Sequence, residues 1–336
     1  MRRYREFLIP VVVFGLAGFL PLFLKTYYVH IGILILIWAY LATSWNILGG
    51  YAGQHSLGHG LYMGIGAYAS TYLALNFGLT PWVGMFVGMA FAAAAGWFVG
   101  YATFRYGLKG AYFALVTIAL AEAAVYVVSN WKAMGGAAGL EVKYLGTNPF
   151  MMQFDGKLPY FYIILVMTLL AVLTAQWLNR RRFGYRLIAV RENEEAAEAM
   201  GVNTLGTKIN ANVLSAVMTA AGGTFFAQYF TYVGPRVVFG EMVSVQILLF
   251  AIIGGLGTVW GPLVGAVILV PVAEIARAEL GTQFQGAHLL LYGGVLVFTM
   301  LFMPKGIVGL VKSVRSRIWK TPDDSVSAPA PEGGAS

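Results

Sequence analysis

The chain has 336 residues, of which 59% are hydrophobic and only 11% charged, and its formal net charge is +8. Soluble domains carry about 25% charged residues, so most of this chain does not face water. The Lys and Arg residues lie at the ends of apolar blocks and form no stripe, which disfavours a nucleic-acid partner and is typical of a membrane protein. The sequence contains no cysteine, which excludes disulfides and thiolate metal sites.

Apolar blocks follow one another along most of the sequence, and no Asp, Glu, Lys or Arg occurs between Lys25 and Arg105. No cleavage site for signal peptidase follows the first block, so we interpret it as a retained span. A transmembrane helix needs roughly 20 apolar residues. Blocks near that length or longer cover residues 7–24, 29–48, 58–77, 82–103, 111–129, 159–178, 209–232, 243–274 and 287–303.

The block 243–274 is too long for one span and is interrupted by GGLGTVWGP at 254–262. Glycine and proline interrupt helices, so the block predicts two shorter helices, either as two spans or as a re-entrant pair. The predicted fold is an all-α, polytopic transmembrane helical bundle. It has about ten membrane-crossing elements, or eight if 243–274 only dips into the bilayer.

Clusters of basic residues predict the orientation of the spans in the bilayer. They occur at the N-terminus (Arg2, Arg3, Arg5), in the loop 180–208 and in the C-terminal segment from Lys305 onward. The positive-inside rule places these three regions in the cytoplasm and the long loop 132–159 outside. Residues 1–320 then form the membrane domain, and the polar tail 321–336, rich in Pro, Gly and Ala, is predicted to be a disordered cytoplasmic tail.

Small residues recur four positions apart in several of the apolar blocks. In lipid this spacing lets helix backbones approach closely, so it predicts contacts between helices. The pairs are Gly49/Gly53, Gly60/Gly64, Gly84/Gly88, Gly96/Gly100 and the series Gly257/Gly261/Gly265.

The loop 180–208 contains four of the 14 acidic residues of the chain, at positions 192, 194, 195 and 198. Residues 186–200 predict a short amphipathic helix with the glutamates on its wet side. Gly201 and Asn203 are suitable stop signals. The predicted apolar side consists of Leu187, Ile188, Val190, Ala196, Ala197 and Met200. Such a helix is either solvated, embedded in the headgroup layer, or a docking element.

A glycine-rich break between two apolar blocks carries Gln54, Ser56 and His59. Irregular backbone at membrane depth is tolerated where it lines a cavity or is buried in protein. One hypothesis is that this break, with Gly64 and Gly66, borders a translocation path. The alternative is a tight turn with satisfied histidines. A metal site on His55 and His59 would need a third ligand, and none is adjacent; we predict no metal site.

Glu122 lies inside an apolar block, where an ionisable side chain costs roughly 3 kcal/mol and needs a partner or water. It could line the path, bond to a neighbouring helix, or reach the membrane interface.

Two other functional classes would depend on polar residues within the apolar blocks or between them. A secondary transporter would couple to ions through Glu122, and an intramembrane enzyme would use Ser56 and His59, although no supporting acid is evident nearby.

The sequence has no G-x-x-x-x-G-K-[ST] loop, so this chain does not cradle nucleotide phosphates by that device. If it moves solute with ATP, the ATPase is another chain.

The spacing Glu195-Ala196-Ala197, then three residues, then Gly201 resembles the E-A-A-x-x-x-G core of the cytoplasmic loop in ATP-binding-cassette importer permeases. In that family the loop helix docks into a groove on the ATPase. The I-x-L-P expected further on is absent, and KINANVL stands there instead.

Longer stretches extend this resemblance over residues 46–310. They are NILGGYAGQHSLGHGLYMGIGAYAS, GLKGAYFALVTIALAE, MGGAAGL, FGYRLIAVRENEEAAEAMGVN, IIGGLGTVWGPLVGAVI and FMPKGIVGL, in this order. Together they resemble the M-type permease of branched-chain amino acid importers, which act at the bacterial inner membrane. The resemblance implies ATPase coupling through Arg191, Glu194, Glu195, Ala196, Ala197 and Gly201.

The same resemblance implies the partners of the chain. They are a sister permease, two cytoplasmic ATPase subunits that hold ATP and Mg, and a periplasmic binding protein that delivers the substrate. No cofactor is expected on this chain itself, which is therefore a transport subunit without its own ATPase site. Related permeases also serve urea, short amides and other amino acids, so the exact substrate stays open.

Overall fold

A computed structural model describes residues 2–144, 146–280, 293–294 and 306–309 of the chain. The predicted span 287–303 lies outside the described residues except for 293–294. The basic C-terminal segment, apart from 306–309, and the tail 321–336 also lie outside them.

Helices dominate the described part of the chain. They are α1 (Arg2–Ala17), α2 (Thr26–Asn46), α3 (His59–Phe77), α4 (Pro81–Phe104), α5 (Ala111–Asn130), α6 (Lys157–Leu178), α7 (Arg182–Glu192), α8 (Glu194–Ala199), α9 (Thr204–Phe230), α10 (Pro235–Val238), α11 (Glu241–Gly254) and α12 (Gly261–Leu280). A π-helical turn, Ile47–Tyr51, continues α2. Two short strands, β1 (Leu140–Glu141) and β2 (Tyr232–Val233), pair antiparallel, and the sequence did not predict them.

Six stretches of the described helices are long and apolar enough to cross a membrane: Thr26–Tyr51, Pro81–Phe104, Ala111–Asn130, Lys157–Leu178, Thr204–Phe230 and Pro235–Gly254. Leu8–Leu22 and Gly261–Ile275 are shorter apolar helical stretches. The chain is thus a polytopic helical membrane protein. The predicted count of ten crossings and the cytoplasmic placement of both termini stay predictions.

The predicted break in the block 243–274 is confirmed, because α11 ends at Gly254 and α12 begins at Gly261. The turn between them is fastened to the end of α2 by one side chain. The Asn46 Oδ1 atom accepts a hydrogen bond from the Gly257 backbone N–H at 2.9 Å, and its Nδ2 atom donates to the Thr258 carbonyl oxygen at 2.9 Å. Whether α11 and α12 are two spans or a re-entrant pair stays open.

The core of the bundle is built from α3, α4 and α9, each of which packs against the other two. Small residues make this packing possible, as their spacing predicted. A Cβ atom on Gly84 would lie 2.6 Å from the Ser70 Cα atom, and one on Gly88 would lie 3.0 Å from the Gly66 Cα atom. Larger side chains at these positions would force α3 and α4 apart.

The bundle has two distinguishable ends. At the α7–α8 end, α7 contacts α6, α9 and the turn Ile47–Tyr51, and α8 contacts α9. At the opposite end, β1 and β2 pair, and the Trp82 indole donates a hydrogen bond to the Pro149 carbonyl oxygen at 3.1 Å. The loop that was predicted to lie outside therefore lies at the other end of the bundle from the loop 180–208.

Candidate functional site

The predicted helix 186–200 is in fact two helices, so the prediction of one continuous helix is wrong. The helix α7 ends at Glu192, Asn193 is extended with φ −157° and ψ 110°, and α8 follows. The Asn193 Oδ1 atom accepts a hydrogen bond from the Ala196 backbone N–H at 3.0 Å, which makes Asn193 the N-cap of α8. Gly201 ends α8 in the left-handed region with φ +80°, as its predicted stop role requires.

The packed face of these two helices is only partly the predicted one. Leu187, Val190 and Ala197 are buried, as predicted. Ala196 is exposed, and the Met200 side chain is 84% exposed, so their predicted place on the packed side is wrong. The kink at Asn193 rotates α8 relative to α7, so that one helical periodicity does not apply across both.

Glu194 points into the protein, contrary to its predicted place on the wet side. One of its carboxylate oxygens accepts a hydrogen bond from the Lys208 ammonium, and the other lies 2.9 Å from the Lys109 Nζ atom. The Lys208 side chain is only 2% exposed and lies 5.1 Å from the centre of the Phe104 ring. Glu194 thus joins α8 to the start of α9 and to the loop between α4 and α5.

The protonation of this group follows from its surroundings. Burial alone would raise the pKa of the Glu194 carboxyl, but the hydrogen bonds and charges of Lys208 and Lys109 outweigh burial and lower it. The same contact raises the pKa of Lys109. Glu194 and Lys109 are therefore charged at neutral pH. Lys109 and Lys208 were not predicted as site residues; the only sequence signal was a lysine at the head of an apolar helix.

Arg191 makes the second attachment of this loop to the bundle. Its Nη1 atom donates a hydrogen bond to the Gly50 carbonyl oxygen at 3.0 Å, and its Nη2 atom lies 2.6 Å from a Glu192 carboxylate oxygen. The side chain passes over two glycines with positive φ. A Cβ atom on Gly53 would lie 2.7 Å from the Arg191 Cγ atom, and one on Gly257 would lie 2.7 Å from the Nη1 atom.

The outward surface of α8 is formed by Glu195, Ala196, Glu198, Ala199 and Met200, all of them exposed. We call these five residues the α8 surface. The Thr204 hydroxyl donates a hydrogen bond to the Glu198 carboxylate, which ties the rim of this surface to the start of α9. The α8 surface is negatively charged and combines two alanines with two glutamates and a methionine.

Most of the glycine-rich break, residues 52–58, is buried in protein, but His55 is exposed. The Trp45 indole donates a hydrogen bond to the Ser56 carbonyl oxygen at 2.8 Å. His59 is fully buried, with its Nδ1 atom 3.2 Å from the Ser56 hydroxyl and its Nε2 atom 2.7 Å from the Ser215 hydroxyl. Gln54 is 8% exposed, and within the described chain its Oε1 atom has no hydrogen-bond partner.

Gly64 and Gly66 lie at helix contacts. A Cβ atom on Gly64 would overlap the Phe239 ring, and one on Gly66 would overlap the Ala220 carbonyl oxygen. Their small size is therefore required for packing of α3. The role in a translocation path that was predicted for these glycines and for Gln54, Ser56 and His59 stays a prediction.

Glu122 is partly buried in α5 and faces the start of α11. Its Oε1 atom accepts a hydrogen bond from the Glu241 backbone N–H at 3.3 Å. A carboxylate at a helix N-terminus is stabilised by the free N–H groups and the helix dipole, so this contact gives Glu122 a polar partner near the surface of the described chain. No group of three or more His, Asp or Glu side chains within the described residues is placed to hold a metal ion.

Comparison with known proteins places the chain among transport permeases. Residues 9–300 match the family described as "Branched-chain amino acid transport system / permease component". The high-affinity branched-chain amino acid transport system permease protein LivM of Escherichia coli (strain K12) is 28% identical over 334 residues, which cover 92% of this chain and 76% of LivM.

Two more distant relatives are also permeases. The LivH permease protein of the branched-chain amino acid system of Salmonella typhimurium is 22% identical over 286 residues, covering 81% of this chain and 91% of LivH. The fructose import permease protein FrcC of Rhizobium meliloti is 26% identical over 234 residues, covering 66% of this chain and 62% of FrcC. Because the family match spans most of its length, this chain belongs to the branched-chain amino acid transport system permease family.

Proposed function

We propose that this chain is a membrane-spanning permease subunit of an ATP-binding-cassette importer in the bacterial inner membrane. It forms the path together with a sister permease, and separate ATPase subunits hydrolyse the ATP. The α7–α8 end faces the cytoplasm, and the opposite end faces a periplasmic binding protein. The family match and the relatives named LivM and LivH support this assignment.

One observation carries the proposed coupling mechanism: α8 is fastened to the bundle on one side and is bare on the other. Glu194 attaches it inward through the buried Lys208, whereas the α8 surface is free for a partner. Small side chains such as Ala196 allow close seating in a groove. The charge of Glu195 sets the orientation of docking more than its affinity, and we propose that the ATPase groove presents a basic group to it.

Force applied to α8 would reach the membrane helices through two defined contacts. The Glu194–Lys208 contact leads to the first turns of α9, the longest helix of the described core. Arg191 contacts Gly50 in the turn that continues α2. Asn46, at the end of α2, in turn contacts the turn between α11 and α12. A displacement of the loop would therefore move α2, α9 and the α11–α12 pair together, which is how a bistable bundle switches between two states.

The substrate proposed is a branched-chain amino acid: leucine, isoleucine or valine. LivM, aligned over 92% of this chain, is named for that transport system, whereas the relative named for fructose import aligns over only 66%. Permeases for urea, short amides or other amino acids remain the alternative reading. Side chains along the path of such a chain are bland, so the binding protein makes most of the selection.

Reversing the charge of Glu195 tests the docking role. The Glu195→Lys variant should insert and fold normally, because Glu195 is exposed and belongs to the outward face of α8. It should lose co-purification with the ATPase subunits and lose uptake in membrane vesicles. The matched control is Glu141→Lys, which reverses an exposed glutamate of β1 at the opposite end and should keep the ATPase bound. Retained uptake by Glu195→Lys contradicts the docking role.

The substrate is tested with the chain purified together with its native neighbours and reconstituted in proteoliposomes. ATP-driven uptake of labelled leucine, competed by isoleucine and valine but not by urea or fructose, is the expected result. Uptake that follows an imposed ion gradient without ATP would instead favour a secondary transporter.

In the same assay, the variants Gln54→Ala and Ser56→Ala test the predicted translocation path. Unaltered uptake would contradict a path role for these two residues. Glu122→Gln with normal uptake and assembly would remove Glu122 from the mechanism.

A further inference from the structure

A cavity of about 180 Å³ lies at the opposite end of the bundle, below the segment 142–153. Its walls come from the ends of α3, α4 and α9 as well as from that segment. The wall combines the polar residues Thr71, Lys143, Gln153 and Gln228 with apolar ones such as Leu75 and Met151. We call it the outer cavity. None of its residues belongs to the coupling contacts or to the predicted path.

The roof of the outer cavity is held in place by several hydrogen bonds. The Val142 backbone N–H donates to the Thr231 carbonyl oxygen at 2.8 Å, beside the paired strands β1 and β2. The Gln153 side-chain amide donates to the Lys143 carbonyl oxygen at 2.8 Å. The Trp82 indole holds Pro149 from below. These bonds hold the segment 142–153 in place over the cavity.

Two buried polar side chains in the wall of the outer cavity have no partner within the described chain. Gln228 is 1% exposed, and neither its Oε1 nor its Nε2 atom makes a hydrogen bond. Thr71 is fully buried, and its hydroxyl makes none either. Buried polar groups of native proteins are nearly always satisfied, so these atoms indicate a polar occupant of the cavity.

The neighbouring helix hydroxyls show that Thr71 is an exception. Ser70, one residue earlier, donates a hydrogen bond to the Gly66 carbonyl oxygen at 2.9 Å. Thr43 and Thr168 likewise donate to the carbonyl oxygen four residues earlier, at 2.7 Å in each case. A threonine in a helix can satisfy its hydroxyl in this way. The hydroxyl of Thr71 does not, and is left available to the cavity.

The chemistry of the wall defines the occupant. A primary amide both donates and accepts, a hydroxyl accepts, and a lysine at the wall supplies a positive charge, while Leu75 and Met151 offer apolar surface. We propose that the outer cavity binds a free amino acid with an aliphatic side chain. Its carboxylate would accept from Gln228 Nε2 and Lys143, and its ammonium would donate to Gln228 Oε1 and Thr71. A zwitterion carries no net charge, so the wall needs no buried counter-ion.

This inference rests on the proposed function, because it takes the transported amino acid as the ligand. It adds a receiving site on this chain, at the end where the binding protein would release its cargo. The permease would then select the solute itself. The Gln228 amide and the Thr71 hydroxyl would recognise the ammonium and carboxylate groups that are common to all free amino acids.

The test measures equilibrium binding of labelled leucine to the assembled complex in nanodiscs, without binding protein and without ATP. Saturable binding is expected, displaced by isoleucine and not by leucinamide, which lacks the carboxylate. Thr71→Val and Gln228→Leu should each weaken binding about tenfold or more. Ser70→Ala, which removes the adjacent self-bonded hydroxyl, is the matched control and should leave binding unchanged.

Thermal unfolding of the same variants shows whether weaker binding comes from a lost ligand contact or from a less stable fold. Thr71→Val and Gln228→Leu remove groups without protein partners, so neither should lower the unfolding temperature. Unchanged leucine binding in both variants overturns the inference and assigns the cavity to water. Absence of saturable binding in a wild-type complex that imports leucine also overturns it, but leaves the proposed function standing. Saturable binding that persists in a Glu195→Lys preparation supports the site even where coupling to the ATPase is lost.

Discussion

The two ends of the bundle hold their connecting segments by different chemistry. At the α7–α8 end, charged side chains make the attachment: Glu194 meets Lys208 and Lys109, and Arg191 reaches Gly50. At the opposite end, the roof of the outer cavity is held by backbone pairing and by neutral donors such as the Trp82 indole. Removing one member of a buried charge pair strongly destabilises the fold, whereas backbone pairing tolerates side-chain replacement. The charged contacts therefore suit helices that transmit force, and the backbone pairing suits a segment that encloses a cavity.

The largest effect is expected from breaking the charge pair at the α7–α8 end. Glu194→Ala leaves the buried Lys208 ammonium without its partner and should lower the free energy of unfolding by about 3–5 kcal/mol. Denaturant unfolding in detergent measures it. Glu195→Ala, on the next residue but exposed, is the control and should change stability by less than about 0.5 kcal/mol.

A double variant sharpens this prediction. Glu194→Ala combined with Lys208→Met removes both charges and should regain most of the lost stability, because an apolar pair can replace a buried ion pair. If the double variant is as unstable as the single one, the ion pair is not the cause. Its uptake should stay low, because the contact between α8 and α9 is then no longer charged and directional.

A smaller effect is expected from the second attachment. Arg191→Ala removes the hydrogen bond to the Gly50 carbonyl oxygen and should cost about 1.5–3 kcal/mol, the usual range for a charged donor. ATP hydrolysis by the assembled complex should continue while uptake falls, because docking is kept and the link to α2 is lost. Arg191→Lys is the control that keeps the charge but not the forked geometry. Equal uptake by all three proteins would contradict the link.

At the opposite end, Trp82→Phe removes a neutral hydrogen bond to the Pro149 carbonyl oxygen and keeps an aromatic ring, although a smaller one. It should cost about 0.5–1.5 kcal/mol. The loss should be local, seen as faster amide hydrogen exchange in the segment 142–153 and not in α7 or α8. A global loss of stability comparable to that of Glu194→Ala would erase the contrast between the two ends.

The smallest effect is expected on titrating Asp155 at the opposite end. Hydrogen bonds from Thr147 and then from Tyr144 lower the pKa of its carboxyl below the ordinary value of 3.8. A lowered pKa stabilises the folded loop above the unfolded value, and that stabilisation is lost as pH falls through the folded pKa. Amide exchange near Asp155 should therefore change only below about pH 3.8, and Asp155→Asn should abolish the change.

Much of the architecture was predictable because it depends on local sequence. The break between α11 and α12 follows from clustered Gly and Pro residues, and the contacts of Gly84 and Gly88 follow from their spacing. The fault in the helix 186–200 was also readable, since an Asn followed by two glutamates, Asn193-Glu194-Glu195, is a helix N-cap signal. The helical periodicity hid that signal, because most of the residues around it favour a helix.

The inward turn of Glu194 could not be predicted from local sequence. Its partners, Lys208 and Lys109, are 14 and 85 residues away along the chain, and only the packed bundle brings them together. The same holds for the outer cavity, whose wall joins α3 to the segment 142–153 and to α9. Number and orientation of the membrane crossings, and the path residues, stay predictions.

The buried Lys208 has a consequence for the synthesis of the protein. During translation Lys109 emerges first, Glu194 next and Lys208 last, so both groups that contact each other beside Lys208 are made before α9. Lys208 is made after its partner Glu194. Pairing with Glu194 would hold the start of α9 at the α7–α8 end while the rest of the helix inserts. A nascent chain that lacks Glu194 would bring the Lys208 ammonium to the translocon without this partner, so we expect a lower yield of inserted protein.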